Sequence, residues 1–445
     1  MDLSRRIFMS SAPLAAAGAV AAGPALAASG GALIAATELG LRPNAKGDQS
    51  AALRKALAKA SERGLALLLP AGTYRLSGVR IERPVAICGI RGATRLLTTT
   101  GHGIFTIEAP SVTLDGLAFE GETTPGEAEN DLVSASNSLD LAIRNCGFGN
   151  FAGGGLALRQ CAGRVVHNRA SDIGRTGIFA LDSLGLEIAG NDLQDIGNNG
   201  IQVWTSEPRP DGTIVSGNRI ARVRFDRGGS GQNGNGIVVF RAGNVMVSHN
   251  RVSDCGYSAI RNNSGRNCQI IGNSVSRIAE TAIYVEFAFD GAVVCGNIVE
   301  TAASGISITN FNEGGRLAVC ANNVVRKITG GGSNPATRGI AIGAEADTAV
   351  TGNVIEEAAY CGIHLGWGRY ARNLLVSANL IRDCKTAVIA SVSEGAGPMS
   401  ITGNMIAGSG KAIVGMDHAT EMTGDLGIAH AAVPAHLTIS GNTVS

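Results

Sequence analysis

Apolar and polar residues alternate along most of the chain in short segments, and one segment returns many times. It reads Val-Ser-Gly-Asn218-Arg-Ile in one copy, and further copies carry Asn250 and Asn273. The same Asn recurs at Asn145, Asn168, Asn191, Asn297, Asn322, Asn353, Asn379, Asn404 and Asn442. Spacings run from 23 residues between Asn145 and Asn168 to 38 between Asn404 and Asn442. Alternation with period two predicts strands, and the repetition predicts a solenoid of stacked coils.

A second strand pattern, Gly-Ile-x-Ile, lies between successive Asn residues, as in Gly305-Ile306-Ser307-Ile308. One repeat cannot bury its apolar face alone, so neighbouring copies must stack. A leucine-rich repeat is the structural alternative, because Leu186-x-Ile188-x-x-Asn191-x-Leu193 imitates its signature. The other half of each repeat reads as strand rather than as helix. We therefore predict an all-β parallel β-helix, with each Asn in a left-handed turn and its amide bonded from coil to coil.

The N-terminal part predicts a capping helix. Asp48 is a suitable N-cap, and Gly64 can end the helix. The apolar stripe consists of Ala52, Leu53, Ala56, Leu57 and Ala60. The predicted organisation is a signal peptide at 1–27, an N-terminal segment with the capping helix at 28–64, and the β-helix at 65–445.

The first residues predict an export signal. Ser4-Arg5-Arg6-Ile7-Phe8 fits the twin-arginine pattern, an apolar stretch follows, and Ala25-Leu26-Ala27 fits a signal peptidase site. A short anchor helix is the alternative, but the apolar run falls short of the ~20 residues that a bilayer span needs. We expect a periplasmic or secreted bacterial protein that engages the twin-arginine translocase. No transmembrane span is expected in the mature chain.

Composition changes this picture little. With 37 basic and 36 acidic residues the net charge is +1, which gives no general attraction for nucleic acid. The nine cysteines include no C-x-x-C pair, and no metal or nucleotide motif is recognisable, so cofactors stay unknown. Cys295 and Cys320 each lie two residues before a recurrent Asn, which predicts one above the other. They form either a disulfide bridge or a stack of buried thiols.

These repeats resemble the right-handed parallel β-helix proteins of the pectate-lyase-like superfamily. The segments that begin at Asp48 (Asp-Gln-Ser-Ala-Ala-Leu) and Leu69 (Leu-Pro-Ala-Gly-Thr-Tyr) resemble the opening of many polysaccharide-active members. With its Arg5-Arg6 signal, the chain also resembles a family of twin-arginine-translocated repetitive proteins of undefined function. The resemblance implies right-handed coils and a polysaccharide as substrate or ligand.

Candidate chemistry follows from the outward positions of the Gly-Ile-x-Ile strands. One predicted row is Gln202, Val238, Arg261, Tyr284, Ser307, Ala341 and His364, and the next is Trp204, Phe240, Asn263, Glu286 and Thr309. We predict Arg261, Tyr284 and Glu286 as catalytic residues. The predicted substrate-binding residues are Gln202, Trp204, Phe240, Asn263, Ser307, Thr309, His364, Trp367 and Arg369. Four segments are expected to form loops beside this face: 120–131, 207–212, 226–233 and 330–338.

The residue types leave three functions open. Elimination or C5 epimerisation of a uronate needs a cation for the carboxylate and a base for the adjacent proton, which Arg261 and Tyr284 can supply. Hydrolysis needs two carboxylates, for which Glu286 pairs with Asp290 or Glu313. The third function is binding of a glycan, or a structural role, without catalysis. Fold alone does not choose among them, and the uronate lyase or epimerase is the leading hypothesis.

Overall fold

The computed structural model describes residues 32–98, 101–121, 130–309, 315–428 and 431–445. Parallel strands from successive coils pair in register, and each complete coil contributes a strand to each of three ladders. The chain therefore folds as a right-handed parallel β-helix, which confirms the predicted fold class. The predicted signal peptide lies outside the described residues.

The first ladder precedes the recurrent Asn, the second follows it, and the third contains the Gly-Ile-x-Ile strands. The first has sixteen strands: Leu33–Ala35, Ala66–Leu69, Val85–Gly89, Ser111–Asp115, Asp140–Arg144, Gly163–Val166, Glu187–Ala189, Ile214–Ser216, Met246–Ser248, Arg266–Ile271, Asp290–Cys295, Arg316–Ala321, Ala346–Thr351, Arg372–Ser377, Met399–Thr402 and Leu437–Ser440. The second contains Gly72–Arg75, Thr94–Thr98, Ala118–Gly121, Gly147–Phe151, Arg169–Ile173, Asp192–Ile196, Arg219–Val223, Arg251–Cys255, Val324–Ile328, Val354–Ala358, Leu380–Arg382, Met405–Ala407 and Thr443–Val444.

The third ladder contains Val79–Ile81, Phe105–Ile107, Asp131–Ser136, Gly154–Arg159, Thr176–Leu181, Asn199–Pro210, Asn235–Gly243, Ile260–Asn263, Ile340–Ala344, Cys361–Leu365, Val388–Ser391 and Ile413–Asp417. Two long strands, Ser274–Glu286 and Ile298–Ile308, turn the corner and serve both the second and third ladders. Thr420–Asp425 pairs antiparallel with the last strand of the third ladder.

Inward side chains from the three ladders form one continuous apolar core along the axis of the coils. The helix Ser50–Glu62 packs Leu53, Ala56, Leu57 and Ala60 against it, which confirms the capping helix. Gln49, rather than the predicted Asp48, occupies the N-cap position. The Asp48 carboxylate nevertheless accepts a bond from the Ser50 backbone N–H at 2.9 Å, so it satisfies a free donor of the first turn. Short 3-10 helices span Ala36–Leu39 and Gly368–Tyr370.

A continuous Asn ladder runs down the corner between the first and second ladders. Its members are Asn168, Asn191, Asn218, Asn250, Asn273, Asn297, Asn323, Asn353, Asn379, Asn404 and Asn442. Each Nδ2 but the last donates to the Oδ1 one coil further on, as from Asn250 to Asn273 at 3.0 Å. The left-handed residue is the one before each ladder Asn, for example His249 with φ 55 or Gly272 with φ 67. The predicted left-handed backbone is therefore wrong for the ladder Asn residues and is confirmed only for Asn145 and Asn322 of the predicted series, both with φ 55.

Two predicted members of the Asn series are displaced. Asn322 has the left-handed backbone at φ 55, and Asn323 makes the ladder bonds. Asn145 bonds the Asp115 carboxylate, and Cys146 takes the first ladder position through its backbone N–H. Where two Asn residues are adjacent, the hydrophobic alternation of the preceding strand decides the register.

The same shift of one residue in register, from Asn322 to Asn323, explains why Cys295 and Cys320 do not stack. Cys295 pairs in register with Ala321, and Cys320 pairs with Val294. Since neighbouring positions of a strand point to opposite faces, Cys320 is buried inside and Cys295 is half-buried outside. All nine cysteines are free thiols, so the predicted stack and the disulfide bridge are both wrong for this pair. In the part of the chain that the structure describes, no helix is long and apolar enough to cross a membrane.

Candidate functional site on the third ladder

The register of the third ladder brings most of the predicted site residues onto one outer face. Successive pairings run Gln202, Val238, Arg261, Tyr284, Ser307, Gly343 and His364, which we call the outer row. Gly343 stands where Ala341 was predicted, because Ala341 is fully buried in the core. Trp204, Phe240, Asn263 and Glu286 form the neighbouring row, and Thr309 directly follows the strand that continues it.

Arg261 is the centre of a polar cluster on this face. Its Nε donates to Glu286 Oε1 at 2.6 Å, and Nη1 donates to the Gly231 carbonyl. Asn263 Nδ2 donates to the same carboxylate oxygen at 2.8 Å. The guanidinium also lies over the Tyr284 ring, 5.4 Å from its centre. These contacts fix the position of Arg261 before any ligand binds.

The ion pair between Arg261 and Glu286 is largely removed from water. The Arg261 side chain is 13% exposed and the Glu286 side chain 4%. A buried pair of this kind holds its geometry strongly, because loss of either partner leaves an uncompensated charge. The Glu286 carboxylate therefore balances the charge of Arg261 before any ligand binds. Among the described residues, Arg261 Nη2 alone of the guanidinium nitrogens lacks a hydrogen-bond acceptor.

Tyr284 is a proton donor on this face at neutral pH. Burial raises the pKa of its phenol to about 12, and the Glu286 carboxylate adds to the rise. The Thr309 hydroxyl and the Arg261 charge act in the opposite direction, but burial outweighs them. Tyr284 was predicted as the base for proton abstraction, and its raised pKa suits a hydrogen-bond donor or general acid better.

Glu280 is a member of the cluster that sequence reasoning missed. Ser258 Oγ donates to its Oε2 at 3.2 Å. Burial raises the pKa of this carboxyl, the Arg261 charge opposes the rise, and Glu286 adds to it. Glu280 lies in the corner just before the third-ladder register begins at Thr281, where alternation does not fix the facing of a side chain. We call Arg261, Asn263, Glu280, Tyr284 and Glu286 the Arg261 cluster.

Two of the predicted loops border the Arg261 cluster. The segment 226–233 ends beside Arg261, which donates to Gly231. The segment 330–338 returns across two coils: the Ser333 backbone N–H donates to the Ala279 carbonyl at 2.8 Å, and the Ser333 hydroxyl donates to the Gly256 carbonyl. The segment 207–212 is mostly strand, since Asn199–Pro210 is continuous. Most of 120–131 lies outside the described residues.

An aromatic group lies at the N-terminal end of the face. Trp204 contacts Phe179 edge-on at 5.5 Å and Phe240 at 5.4 Å between ring centres. Arg159 and Arg241 lie over the two phenyl rings, at 5.9 and 4.9 Å respectively. Gln202, two residues before Trp204, is buried, and its Oε1 accepts a bond from the Thr176 hydroxyl at 2.9 Å. We call Phe179, Trp204 and Phe240 the Trp204 group.

A second ring cluster surrounds His364. The His364 ring lies 6.4 Å from Tyr360 and 6.1 Å from Trp367, and Trp367 meets His418 edge-on at 5.4 Å. Arg338, from the 330–338 loop, donates to the Tyr360 hydroxyl at 3.0 Å and lies over both the Tyr360 and Trp367 rings. Burial and the Arg338 charge lower the pKa of His364 to about 4. His364 is therefore neutral at pH 7, and its buried Nε2 has no hydrogen-bond partner among the residues that the structure describes.

The ring cluster around His364 is remote from Arg261. Four register steps separate the two residues, or about 19 Å at the usual strand spacing. Arg369 is exposed and lies over the Tyr370 ring at 5.5 Å. One small substrate unit cannot contact both His364 and Arg261, whereas a chain of several sugars can.

Of the two carboxylates proposed as partners of Glu286, the one that the structure describes, Asp290, does not join it. Asp290 lies in the first ladder and pairs with Arg266 at 2.8 Å and Arg316 at 3.4 Å. Glu313 lies outside the described residues. Among the described residues no group of three or more His, Cys, Asp or Glu side chains is arranged to hold a metal ion.

Sequence and structure comparisons agree with this architecture. Residues 88–220 match the family model of the right-handed β-helix region. No curated protein gives a significant match. PfbA, a surface adhesin of Streptococcus pneumoniae, is 12% identical with a TM-score of 0.50, and the match covers 92% of this chain and 99% of PfbA. This protein is thus a right-handed parallel β-helix protein by fold.

Two further solved structures align with this chain. The enzymatically active domain of bacteriophage CBA120 tailspike protein 2 is 12% identical with a TM-score of 0.52. That match covers 65% of this chain and 47% of the tailspike chain, so this chain spans about half of it. The A-module of an Azotobacter vinelandii mannuronan C-5 epimerase is 16% identical with a TM-score of 0.41, and the match covers 92% and 99% of the two chains. The likeness to the tailspike domain concerns the fold alone.

Proposed function

We propose that this protein binds an acidic polysaccharide along the outer face of the third ladder and acts on it as a uronate lyase or C5-epimerase. The observation that carries the proposal is the Arg261 cluster, where a carboxyl of raised pKa, a protonated phenol and a buried guanidinium share one patch. Groups of different proton affinity held together in this way are typical of sites that move protons.

The proposed chemistry begins with the proton at C5 of a uronate. Glu280 accepts that proton, because a raised pKa brings a carboxylate closer to the basicity that proton abstraction requires. In elimination, the C4–O bond breaks as the C4–C5 double bond forms, and Tyr284 gives its proton to the leaving oxygen. In epimerisation, Tyr284 instead gives its proton to the opposite face of C5, and the chain stays intact.

Arg261 has a supporting part in this proposal. Its Nη2 can donate to the uronate carboxylate, while Glu286 and Gly231 hold the guanidinium in place. Glu286 is a positioning residue, since its carboxylate is buried and bonded to both Arg261 and Asn263. The same burial disfavours Glu286 as a nucleophile, so the hydrolase alternative has less support than elimination.

The test uses purified protein and a panel of acidic and neutral glycans. A lyase raises absorbance at about 235 nm as unsaturated uronate ends form, and an epimerase changes uronate composition without cleavage. Glu280→Gln and Tyr284→Phe should each lower turnover by ~100-fold or more with little change in binding. Glu300→Gln is the matched control, because this carboxylate lies outside the cluster and pairs with Lys327 at 3.1 Å. Full turnover in both cluster variants would contradict the proposed chemistry.

A second candidate function is glycan binding without catalysis. The Trp204 group favours it, because aromatic faces flanked by Arg159 and Arg241 can pack against sugar rings and hold acidic groups. In that case Trp204→Ala should weaken glycan binding roughly tenfold, no glycan should be altered, and Glu280→Gln should bind like the parent. Conversion of any glycan in the panel would exclude this candidate.

Export by the twin-arginine translocase, to the periplasm or beyond, is also part of the proposal. It rests on Arg5, Arg6 and the apolar stretch that follows them, and on the resemblance to twin-arginine-translocated repetitive proteins. Arg5→Lys with Arg6→Lys should retain the precursor in the cytoplasm, as measured by cell fractionation. Normal export of that double variant would point to another route.

A further inference from the structure

A groove of arginines lies on the Asn-ladder corner, away from the third-ladder face. Its volume is about 380 Å³, and its lining includes Arg91, His167, Arg169, Asp192 and Arg219, which we call the corner groove. Arg91 reaches across from the loop after the strand Val85–Gly89 and donates to the His167 carbonyl at 3.4 Å. The His167 ring lies against Gly190, where a Cβ would overlap it.

The arginines of this groove differ from most others in the chain. Elsewhere an arginine usually pairs with a carboxylate of the neighbouring coil, as Arg222 does with Asp195 and Arg277 with Asp254, both at 2.7 Å. Arg91, Arg169 and Arg219 form no ion pair with any carboxylate among the described residues. Three arginines therefore line one concavity with Asp192 as its only lining carboxylate. In a chain of net charge +1, this local excess points to an anionic ligand.

The order of charges limits the shape of that ligand. Arg169, Asp192 and Arg219 are consecutive partners in the second ladder, so Asp192 lies between the two arginines. Gln194 Nε2 donates to Asp192 Oδ1 at 2.9 Å and leaves its other oxygen open. A compact anion at the centre meets the like charge of Asp192. An extended ligand with anionic groups about 10 Å apart meets both arginines, while a hydroxyl between them can donate to Asp192.

We propose that the corner groove is a second binding site for an acidic oligosaccharide, separate from the Arg261 cluster. The choice of sugar as the carrier of the anionic groups rests on the proposed function. The anion site itself rests on the arginines alone. A polysaccharide held here is anchored by its charges on a corner that has no part in the proposed chemistry.

The test is calorimetric titration of trigalacturonate and of inorganic pyrophosphate at low ionic strength. Arg169→Gln with Arg219→Gln should weaken trigalacturonate binding at the corner groove tenfold or more. The control is Arg277→Gln with Arg382→Gln, which changes net charge equally but removes arginines that pair with Asp254 and Asp383 elsewhere on the same ladder; it should bind within about twofold of the parent. Equal weakening in both double variants would overturn the proposal, because it would show only a general charge effect.

Asp192→Asn tests the shape of the ligand. It should weaken the binding of trigalacturonate, because a hydroxyl of the ligand loses its charged acceptor. If the substitution instead strengthens trigalacturonate binding, or if pyrophosphate binds the parent more tightly than trigalacturonate does, a compact anion occupies the groove and the proposal fails.

The third-ladder face is followed in the same titrations. Trp204→Ala should affect only binding on that face, so a two-site titration separates the corner groove from the proposed active site. If the proposed function is wrong and the face binds nothing, the groove variants still decide the corner site. If the Arg169→Gln, Arg219→Gln variant binds trigalacturonate as tightly as the parent at every site, the corner proposal fails, whatever binds on the third-ladder face.

Discussion

At the scale of single residues, the site depends on how burial changes proton affinity. His364 shows the effect most clearly. It lies in the outer row and is 8% exposed, with Arg338 nearby, and both burial and that charge disfavour its protonated form. No compensating carboxylate contacts it among the described residues. The folded protein therefore keeps the His364 imidazole neutral at mildly acidic pH, at which a solvent-exposed histidine is already charged.

His364 should make the protein less stable in mild acid. In the unfolded chain its pKa is about 6.5, and in the folded protein it is lowered to about 4. As pH falls through this range the unfolded state takes up the proton first, so the free energy of unfolding falls, by on the order of 3 kcal/mol in all. His364→Gln removes this dependence. Chemical denaturation of both proteins at several pH values measures the difference.

The decisive measurement in that experiment is the slope of the free energy of unfolding against pH, compared between the parent and the variant. Substitution of a buried ring also changes packing, which shifts stability equally at every pH. A parent and variant with parallel curves between about pH 6.5 and 4 would show that His364 does not carry the dependence.

Residue identities at the site were predictable only where alternation fixes them. Arg261, Tyr284 and Ser307 follow from the period of two in their strands, and the register places them as neighbours. Glu280 was missed because it lies in a corner. The engagement of Arg261 by Glu286 and Gly231 could not be read from spacing either, since it depends on how two side chains and a loop orient.

At the scale of elements, the loop 330–338 connects the two parts of the third-ladder face. Ser333 holds one part of it beside the Arg261 cluster, and Arg338 holds its end between the Tyr360 and Trp367 rings. Gly330, Gly331 and Gly332 all have positive φ, between 71 and 81, which other residues adopt only with strain. The loop therefore depends on this run of glycines for its path.

Gly332→Ala should detach this loop. A Cβ at Gly332 overlaps the Ala279 carbonyl, the same group that accepts the Ser333 bond, so the segment must move away. Gly331→Ala is the matched control, because it carries the same backbone strain and has no atom within 4 Å of the added carbon. We expect faster hydrogen exchange and proteolysis at 330–338 in Gly332→Ala only. Equal behaviour of the two variants would mean that backbone strain, rather than the contact, governs the loop.

The sequence predicts that the strands exist, but it does not always predict the register in which they pair. Asn322 and Asn323 both satisfy a pattern that asks only for Asn after a strand. The structure selects Asn323 because Cys320 and Ala318 then face the core. A third ladder per coil was not predicted, since the strands after each Asn are short and two of them, Ser274–Glu286 and Ile298–Ile308, continue into the third ladder without a break.

At the scale of the whole molecule, stability should depend on the position of a coil in the stack. Each coil contacts mainly its two neighbours, so a defect in the middle weakens two interfaces and a defect at the end weakens one. The Asn ladder offers a matched pair of positions. Asn273 is fully buried between coils, whereas Asn442 is the last member of the ladder and partly exposed.

Asn273→Leu should therefore destabilise the protein far more than Asn442→Leu. At Asn273 the change removes the Oδ1 that accepts from the backbone N–H and Nδ2 of Asn250, and the Nδ2 that donates to the Val247 carbonyl, at about 1 to 3 kcal/mol for each buried group left unpaired. Asn297 Oδ1 keeps its bond from the Asn273 backbone N–H, which the substitution retains. At Asn442 the Asn404 amide and the Ile401 carbonyl lose bonds to a partly exposed side chain, where water can replace them. We expect a loss of at least about 3 kcal/mol for Asn273→Leu and under about 1.5 kcal/mol for Asn442→Leu, measured by equilibrium denaturation. Equal losses would mean that the ladder stabilises each turn locally and does not couple the coils.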